Sequence, residues 1–277
     1  MSPRSLASAK GLSGMVDQFI AHRCVTPSVL AVSAHSAKAF ARHTHDQFGI
    51  GVIDHGAQTS HSGRGAVSVQ AGDIITVNPA EVHDGLPVDD TGRSWRMLYF
   101  DPTFVARYSQ RPGSEFCWPT LRDPRLTATF QSLFAAMTSS TPEPYALSAE
   151  ASLLTLLAAL SDRPIARHVA RHVAANITAA KQRLQDEPAA PVSLADLARI
   201  SGIDRFHFLR SFTHATGLTP HAFQIQCRLH LARRLITQKT PLAETAAAAG
   251  FADQSHMTRL FRRSFGLTPG SYARAFS

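Results

Sequence analysis

Short apolar runs alternate with turn residues between about residues 28 and 100. The runs cover residues 29–32, 48–53, 66–69, 74–77 and 95–100. Turn-forming clusters rich in glycine and aspartate separate them, for example at 54–56 and 71–73. Many short strands at this spacing predict a β-sandwich or β-barrel.

Beyond Pro102 the spacing of apolar residues becomes helical. Two stripes recur at intervals of three and four residues, and they comprise Leu126, Phe130, Leu133, Phe134 and Met137, and then Leu153, Leu156, Leu157 and Leu160. This periodicity predicts two amphipathic helices beside the strands. Because two helices next to a small barrel leave apolar surface to cover, we expect the chain to form a homodimer.

Bulk properties exclude several classes of protein. No stretch reaches the roughly 18 consecutive apolar residues of a membrane span, and the N-terminus lacks the apolar core of a secretory signal. We therefore expect a cytoplasmic protein without a membrane partner. Three widely spaced cysteines, Cys24, Cys117 and Cys227, fit neither a disulfide framework nor a zinc ribbon.

The positive charge is concentrated in the last third of the chain. The whole chain carries a formal net charge of +8. From Lys181 onward there are 13 Lys and Arg against 6 Asp and Glu, a balance of +7. A basic domain at one end of the chain suggests a polyanionic partner such as nucleic acid.

The same region contains an internal repeat. Leu194-Ala195-Asp196, Gly202 and Gly217-Leu218-Thr219-Pro220 return as Leu242-Ala243-Glu244, Gly250 and Gly266-Leu267-Thr268-Pro269. Each copy reads as helix, tight turn and helix. The glycines Gly202 and Gly250 suit a left-handed backbone, and Asp204 and Asp253 suit the N-cap of the following helix. We read the copies as two helix-turn-helix units.

Between the copies, residues 219–238 have helical periodicity. A helix of this length spans roughly 30 Å, close to the roughly 34 Å between successive major-groove faces of B-DNA. One chain is therefore expected to place two recognition helices in adjacent grooves of double-stranded DNA.

Residues from about 175 to 276 resemble the DNA-binding domain of the AraC/XylS transcription regulators. The resemblance is strongest in Gly250-Phe251, in 253–257 and at Arg259, Phe261, Gly266, Pro269 and Tyr272. Met257 stands where the family usually has Phe. The resemblance implies DNA contacts from the second helix of each unit, namely Arg205, Phe206, Leu209 and Arg210, and Gln254, Ser255, Thr258 and Arg259. It also implies action beside RNA polymerase, commonly as an activator.

The β-rich half resembles the cupin barrels that serve as sensor domains in many AraC-type regulators. His43-Thr44-His45, Gly72-Asp73 and 79–83 look like its two half-motifs. His43, His45 and His83 match the histidines of metal-binding cupins, but Gly49 and Ile50 stand where the carboxylate ligand belongs. We expect a pocket for a small organic effector formed by His43, His45, Phe48, His83, Trp95 and Tyr99. An inward-pointing Arg42, Arg64 or Arg96 would favour an anionic effector.

Two readings of these histidines remain open beside the effector pocket. They could hold Zn²⁺ or Fe(II) with water completing the shell, or they could only hydrogen-bond to loops. Our prediction assigns no metal, no cofactor and no catalytic residue.

The predicted fold is an α+β multidomain chain. A cupin-like β-barrel with flanking helices occupies residues 1–165 and binds effector and partner subunit. An all-α domain of two helix-turn-helix units joined by a long helix occupies 175–277. The predicted function is sequence-specific DNA binding by an effector-controlled transcription regulator that is not an enzyme. The alternative is a cupin-type metal enzyme or metal sensor fused to a DNA-binding domain.

Overall fold

A computed structural model describes residues 17–108, 115–139, 146–161 and 175–276. Ten strands lie in the first half of this described part: β1 (Gln18–His22), β2 (Val29–Ser36), β3 (Phe40–His43), β4 (Phe48–His55), β5 (Ala57–Ser62), β6 (Gly65–Gln70), β7 (Ile74–Val77), β8 (His83–Pro87), β9 (Arg93–Phe100) and β10 (Thr120–Leu121). They form a six-stranded sheet in the order β1-β2-β9-β4-β7-β10 and a four-stranded sheet in the order β3-β8-β5-β6. The prediction of a β-rich first half is confirmed.

The larger sheet has two differently used faces, because successive side chains of a strand point to opposite sides. One face buries Ile50, Leu98 and Phe100 against helices. These helices are α1 (Pro102–Tyr108), α2 (Pro124–Met137) and α3 (Ala146–Ser161). The apolar stripes of α2 and α3 belong to this core, and each fully buried large side chain contributes roughly 1.5–3 kcal/mol.

Seven helices follow in the described part of the second half. They are α4 (Ala175–Asp186), α5 (Leu194–Ile200), α6 (Arg205–Thr216), α7 (Pro220–Thr237), α8 (Leu242–Ala248), α9 (Gln254–Phe265) and α10 (Pro269–Ala275). The pairs α5–α6 and α8–α9 are the two helix-turn-helix units, and α7 joins them. Phe223 of α7 packs into the core of the first unit, whereas Leu229 and Ile236 pack into the core of the second.

Local signals in the repeat set the ends of its helices. The Asp204 carboxylate accepts the N–H groups of Phe206 and His207, both at 3.0 Å, and Asp253 accepts that of His256 at 2.7 Å. These side chains satisfy N–H groups that have no partner within the helix. Both predicted N-caps are therefore confirmed.

Among the helices that the structure describes, none is long and apolar enough to cross a bilayer.

The turn glycines of the two units have positive φ, +65° at Gly202 and +79° at Gly250, but different surroundings. A Cβ at Gly202 would meet open space, whereas at Gly250 it would lie 2.7 Å from the Ala189 Cα. We expect Gly202→Ala to destabilise the protein by roughly 1–2 kcal/mol through backbone strain alone. Gly250→Ala should cost roughly 1–3 kcal/mol more, because the backbone around Ala189 must move.

Urea unfolding followed by helical circular dichroism measures this difference. Equal destabilisation by the two substitutions would show that the contact with Ala189 does not hold the second turn in place.

Candidate functional site

A cavity of about 130 Å³ lies between the two sheets. The larger sheet lines it with the cavity-facing side chains of β2, β7 and β9, and the smaller sheet lines it with β3, β5, β6 and β8. Apolar members include Leu30, Val32, Phe40, Val67, Val69, Trp95 and Met97, and polar members include Gln58, Ser60, Ser62 and Arg93. The walls are therefore mainly apolar, with a few polar groups placed among them, as in small-molecule sites.

Five of the six residues predicted to bind an effector line this cavity, namely His43, His45, His83, Trp95 and Tyr99. Phe48 does not. It packs on Phe116 in the core between the larger sheet and the helices, with ring centroids 5.2 Å apart. On β4 the cavity side belongs instead to Gly49 and Gly51, where Met97 and Tyr99 lie close against the backbone. The prediction for Phe48 is wrong because alternation places it on the opposite face.

The DNA-binding half supplies one wall of the cavity. Its contributions come from α7, from the end of α9, from the connection after α9 and from α10, as Arg233, Ser264, Phe265, Leu267 and Tyr272. Leu30 and Val32 of β2 belong to the same apolar core as the second helix-turn-helix unit. This wall was not predicted, because nothing in a single sequence pairs a strand near residue 30 with helices after residue 220.

Arg233 carries the polar part of this junction. Its guanidinium donates to the Asp46 carboxylate at 2.5 Å, to the Gln47 side-chain oxygen and to the Tyr272 hydroxyl at 3.3 Å. Burial lowers the pKa of Arg233, but Asp46, Tyr272 and Tyr99 together outweigh burial and raise it above its ordinary value. The pKa of Asp46 is correspondingly lowered by Arg233, against the effect of its own burial. Both side chains are thus ionised, and their opposite charges compensate each other.

A second buried arginine, Arg93, has no carboxylate in contact with it in the described structure. Its guanidinium donates to the Gln58 side-chain oxygen at 2.9 Å and to the backbone carbonyls of Ser36, Lys38 and Gly85. Burial lowers its pKa to about 10, so it stays charged near neutral pH. It also stacks on the Trp95 ring at 4.8 Å. The cavity therefore contains a positive charge whose direct hydrogen-bond partners are neutral oxygens, while the Asp17 carboxylate acts on it without contact.

The three arginines that the sequence singled out do not play this part. Arg64 is paired with Glu81 and Arg96 with Asp54, while Arg42 donates to the Gly217 carbonyl of the first helix-turn-helix unit. Arg93 was missed because its position at the start of β9 gives no sign of which face it points to.

His43, His45 and His83 come together at the end of the cavity nearest α9. His43 and His83 are opposite each other in the β3–β8 ladder, and one ring nitrogen from each of the three lies within 4.8 Å of the others. Burial, and then the neighbouring His83, lowers the pKa of His43 to about 3. Burial likewise lowers the pKa of His45 and of His83. Three neutral imidazoles with adjacent nitrogens are a donor set that can hold a transition metal.

The predicted DNA-contact residues lie on α6 and α9. Arg205, Phe206 and Arg210 are exposed on α6, Phe206 with 77% of its surface accessible. Leu209 differs: it is half-buried and lines a cleft with Leu197 of α5, since it sits on the flank of the helix.

On α9, Gln254, Ser255, Thr258 and Arg259 line a groove that also contains Arg262 and Arg263. Its opposite wall comes from the first half of the chain, with Asp17, Lys38 and Phe40. The second recognition helix therefore faces the β-rich half across a groove, whereas α6 borders a cleft lined by its own helix-turn-helix unit and by residues of α4 and α7.

In comparisons with known proteins, each of these two halves matches a family model. A model of the AraC-like ligand-binding domain matches residues 26–157, and a helix-turn-helix model matches residues 197–275. The chain is 30% identical over 227 residues to YbfI of Bacillus subtilis, an uncharacterized HTH-type transcriptional regulator, covering 79% of this chain and 81% of that protein. It is 26% identical over 273 residues to the HTH-type transcriptional activator RhaS of Pectobacterium carotovorum, covering 94% and 97%.

The fold recurs in a solved structure. Fatty acid-bound ToxT of Vibrio cholerae superposes with a TM-score of 0.53 at 11% identity, over 94% of this chain and 96% of ToxT. The β-rich half and the two helix-turn-helix units thus occur together in one known two-domain fold. The chain belongs to the AraC family of helix-turn-helix transcription regulators.

Proposed function

We propose that this regulator binds its DNA site through α6 and α9 and that a small anionic effector in the cavity controls this binding. The observation that carries the proposal is the shared wall of the cavity. Because Phe265 ends the second recognition helix and Arg233 lies on the joining helix, an occupant of the cavity touches the DNA-binding half directly.

The DNA contacts proposed here are those of two linked recognition helices. α7 has 18 residues and spans about 27 Å, near the roughly 34 Å repeat of the major groove. Arg210 and Arg259 are exposed on the two helices, where a guanidinium can reach guanine edges or phosphates. Arg205, Phe206, Gln254, Ser255 and Thr258 surround them, whereas half-buried Leu209 supports the packing of α6 on α5.

The effector class follows from the charge and size of the cavity. Arg93 provides a positive charge with no carboxylate in contact in the described structure, and Phe40 and Trp95 provide apolar surface beside it. An engineered cavity of about 150 Å³ is known to hold benzene, so about 130 Å³ suits an acid of similar size. The fatty acid in ToxT supports an acidic effector in this fold, although a long chain would exceed the present volume.

Several further properties belong to this proposal. The activator name of RhaS supports activation of transcription. Action beside RNA polymerase and a cytoplasmic location stay predictions. Homodimerisation stays a prediction: the stripes of α2 and α3 are largely core, and among the described side chains of α3 the large apolar one left exposed is Leu154, at 42%. The relatives are transcription regulators, which supports a non-catalytic role over the enzyme alternative.

The DNA-contact assignment is tested with Arg210→Ala and Arg259→Ala. Each substitution should weaken binding to the promoter site by roughly 1–3 kcal/mol if the guanidinium is bidentate to a base, and should relax the sequence preference at that position. Arg125→Ala, at an exposed arginine on α2, is the matched control and should bind normally. Fluorescence anisotropy at a stated salt concentration measures both. Unchanged affinity and preference in both variants would contradict the assignment.

The effector class is tested by thermal shift of the full chain against pairs of acids and their neutral amides, such as benzoate and benzamide. An acid at about 100 times its Kd should stabilise the protein by roughly 2.7 kcal/mol, and its amide should not. Arg93→Gln should abolish the shift. Arg96→Gln is the control, because Arg96 lies on the same strand but pairs with Asp54 outside the cavity.

Equal stabilisation by acid and amide would contradict the anionic class. An acid that stabilises the protein should also change its affinity for DNA in the anisotropy assay. Stabilisation with no change in DNA affinity would show that the cavity binds a ligand without controlling DNA binding, and would contradict the proposed function.

A further inference from the structure

The three cavity histidines have the arrangement of a metal site rather than of separate polar groups. They come from the end of β3, from the loop after it and from the start of β8. The ring centroids of His43 and His83 are 4.5 Å apart, and those of His45 and His83 are 5.2 Å apart. Two segments nearly 40 residues apart thus bring three imidazoles to one point.

Backbone carbonyls fix the protonation of two of these rings. Nδ1 of His43 faces the Ala41 carbonyl at 2.8 Å, and Nδ1 of His83 faces the Glu81 carbonyl at 3.1 Å. A carbonyl only accepts, so Nδ1 carries the proton and Nε2 keeps its lone pair. Metal-binding histidines are oriented by hydrogen bonds of this kind.

His45 is held by ring contacts instead. It stacks on Tyr99 at 4.9 Å and on His83 at 5.2 Å. Only 7% of the residue is exposed, and a ring nitrogen of His45 lies within 4.8 Å of one from each of the other two histidines. An ion between the three rings would therefore find a nitrogen donor on each of them.

The protein offers no carboxylate as a fourth ligand in the described structure. Glu81 is engaged by two N–H groups of Arg64, at 2.8 and 2.7 Å. At Gly49 a Cβ would lie 3.0 Å from the Met97 methyl and 3.2 Å from the Tyr99 ring, so this position has no room for a longer side chain. The remaining coordination position therefore faces the cavity.

We propose that His43, His45 and His83 bind a divalent transition-metal ion, with Zn²⁺ the best match, and leave one coordination position open to the cavity. Three imidazoles and one exchangeable ligand form the usual four-coordinate zinc shell. The all-nitrogen donor set selects against Mg²⁺ and Ca²⁺, which prefer oxygen. The fourth ligand is water or an oxygen of a molecule in the cavity.

This ion would bind at the junction with the DNA-binding half. Thr44, between two of the ligands, contacts His230 and Gln226 of α7, and His45 lies 5.8 Å from the Phe265 ring of α9. An ion that orders residues 43–45 therefore also orders the surface on which α7 and α9 rest.

The test begins with the full-length protein, stripped of metal by a chelator and titrated with Co²⁺ in the absence of DNA. We expect one equivalent per chain, the visible absorption bands of four-coordinate Co²⁺ and their loss on addition of one equivalent of Zn²⁺. No binding at one equivalent, or only the weak spectrum of hydrated six-coordinate Co²⁺, would overturn the proposal. Because neither DNA nor effector is present, failure here leaves the proposed function standing.

Variants then assign the ligands. His43→Gln and His83→Gln should each weaken Zn²⁺ binding by at least about 100-fold, since loss of a second-shell partner alone costs 10–100-fold. His61→Gln, on β5 of the same sheet, should bind as the unaltered protein does. Wild-type affinity in both ligand variants, or an equal loss in His61→Gln, would overturn the assignment.

X-ray absorption of the Zn²⁺-loaded, unaltered protein gives an independent answer if a glutamine variant fails to fold. Three imidazole nitrogens at about 2.0–2.1 Å are expected. A sulfur ligand at about 2.3 Å would show that the ion binds to a cysteine and would contradict the proposed site.

Discussion

A charge buried between two halves of the chain organises this molecule. Arg233 lies on the helix that joins the two DNA readers, yet its ionic partner Asp46 belongs to the ligand-binding half. Removing one partner from a buried ion pair typically costs about 3–5 kcal/mol, because the other charge stays behind unpaired. Residues 44–47 are therefore held against α7, which fixes the neighbouring histidines at one end of the cavity.

The larger sheet extends this constraint through the ligand-binding half. One face of β2, β4 and β9 is sealed by α1, α2 and α3, so the opposite face is left for the cavity and the DNA-binding half. On β2, Val29 and Ala31 face the helices while Leu30 and Val32 reach the core of the second reader. A single strand thus connects three layers, and rigid packing in one layer limits movement in the next.

The helical half was largely predictable, because its signals are local. Asp204 and Asp253 cap helices within three residues of themselves, and the joining helix begins after Thr219 and ends before Gln238, within a residue of the expected bounds. The resemblance to a known motif brought His43, His45 and His83 together across the chain.

What was missed depends on pairing between distant segments. Phe48 and Tyr99 are both aromatic residues in predicted strands. Strand alternation points Phe48 to the helices and Tyr99 to the cavity. Arg93 and Arg96 differ in the same way, since the three-residue spacing puts them on opposite faces. The roles of Arg233 and Phe265 require contacts over more than 180 residues, which neither periodicity nor composition encodes.

The shared wall of the cavity has a consequence for modularity. Because α7, α9 and α10 form part of the cavity wall, the β-rich half alone would not reproduce the ligand specificity proposed for this cavity. Joining that half to the DNA-binding half of another family member would exchange the wall that contains Arg233 and Phe265, and a different side chain at either position would reshape the cavity. In the proposed function, recognition of ligand and recognition of DNA therefore depend on the same helices, and a change in one constrains the other.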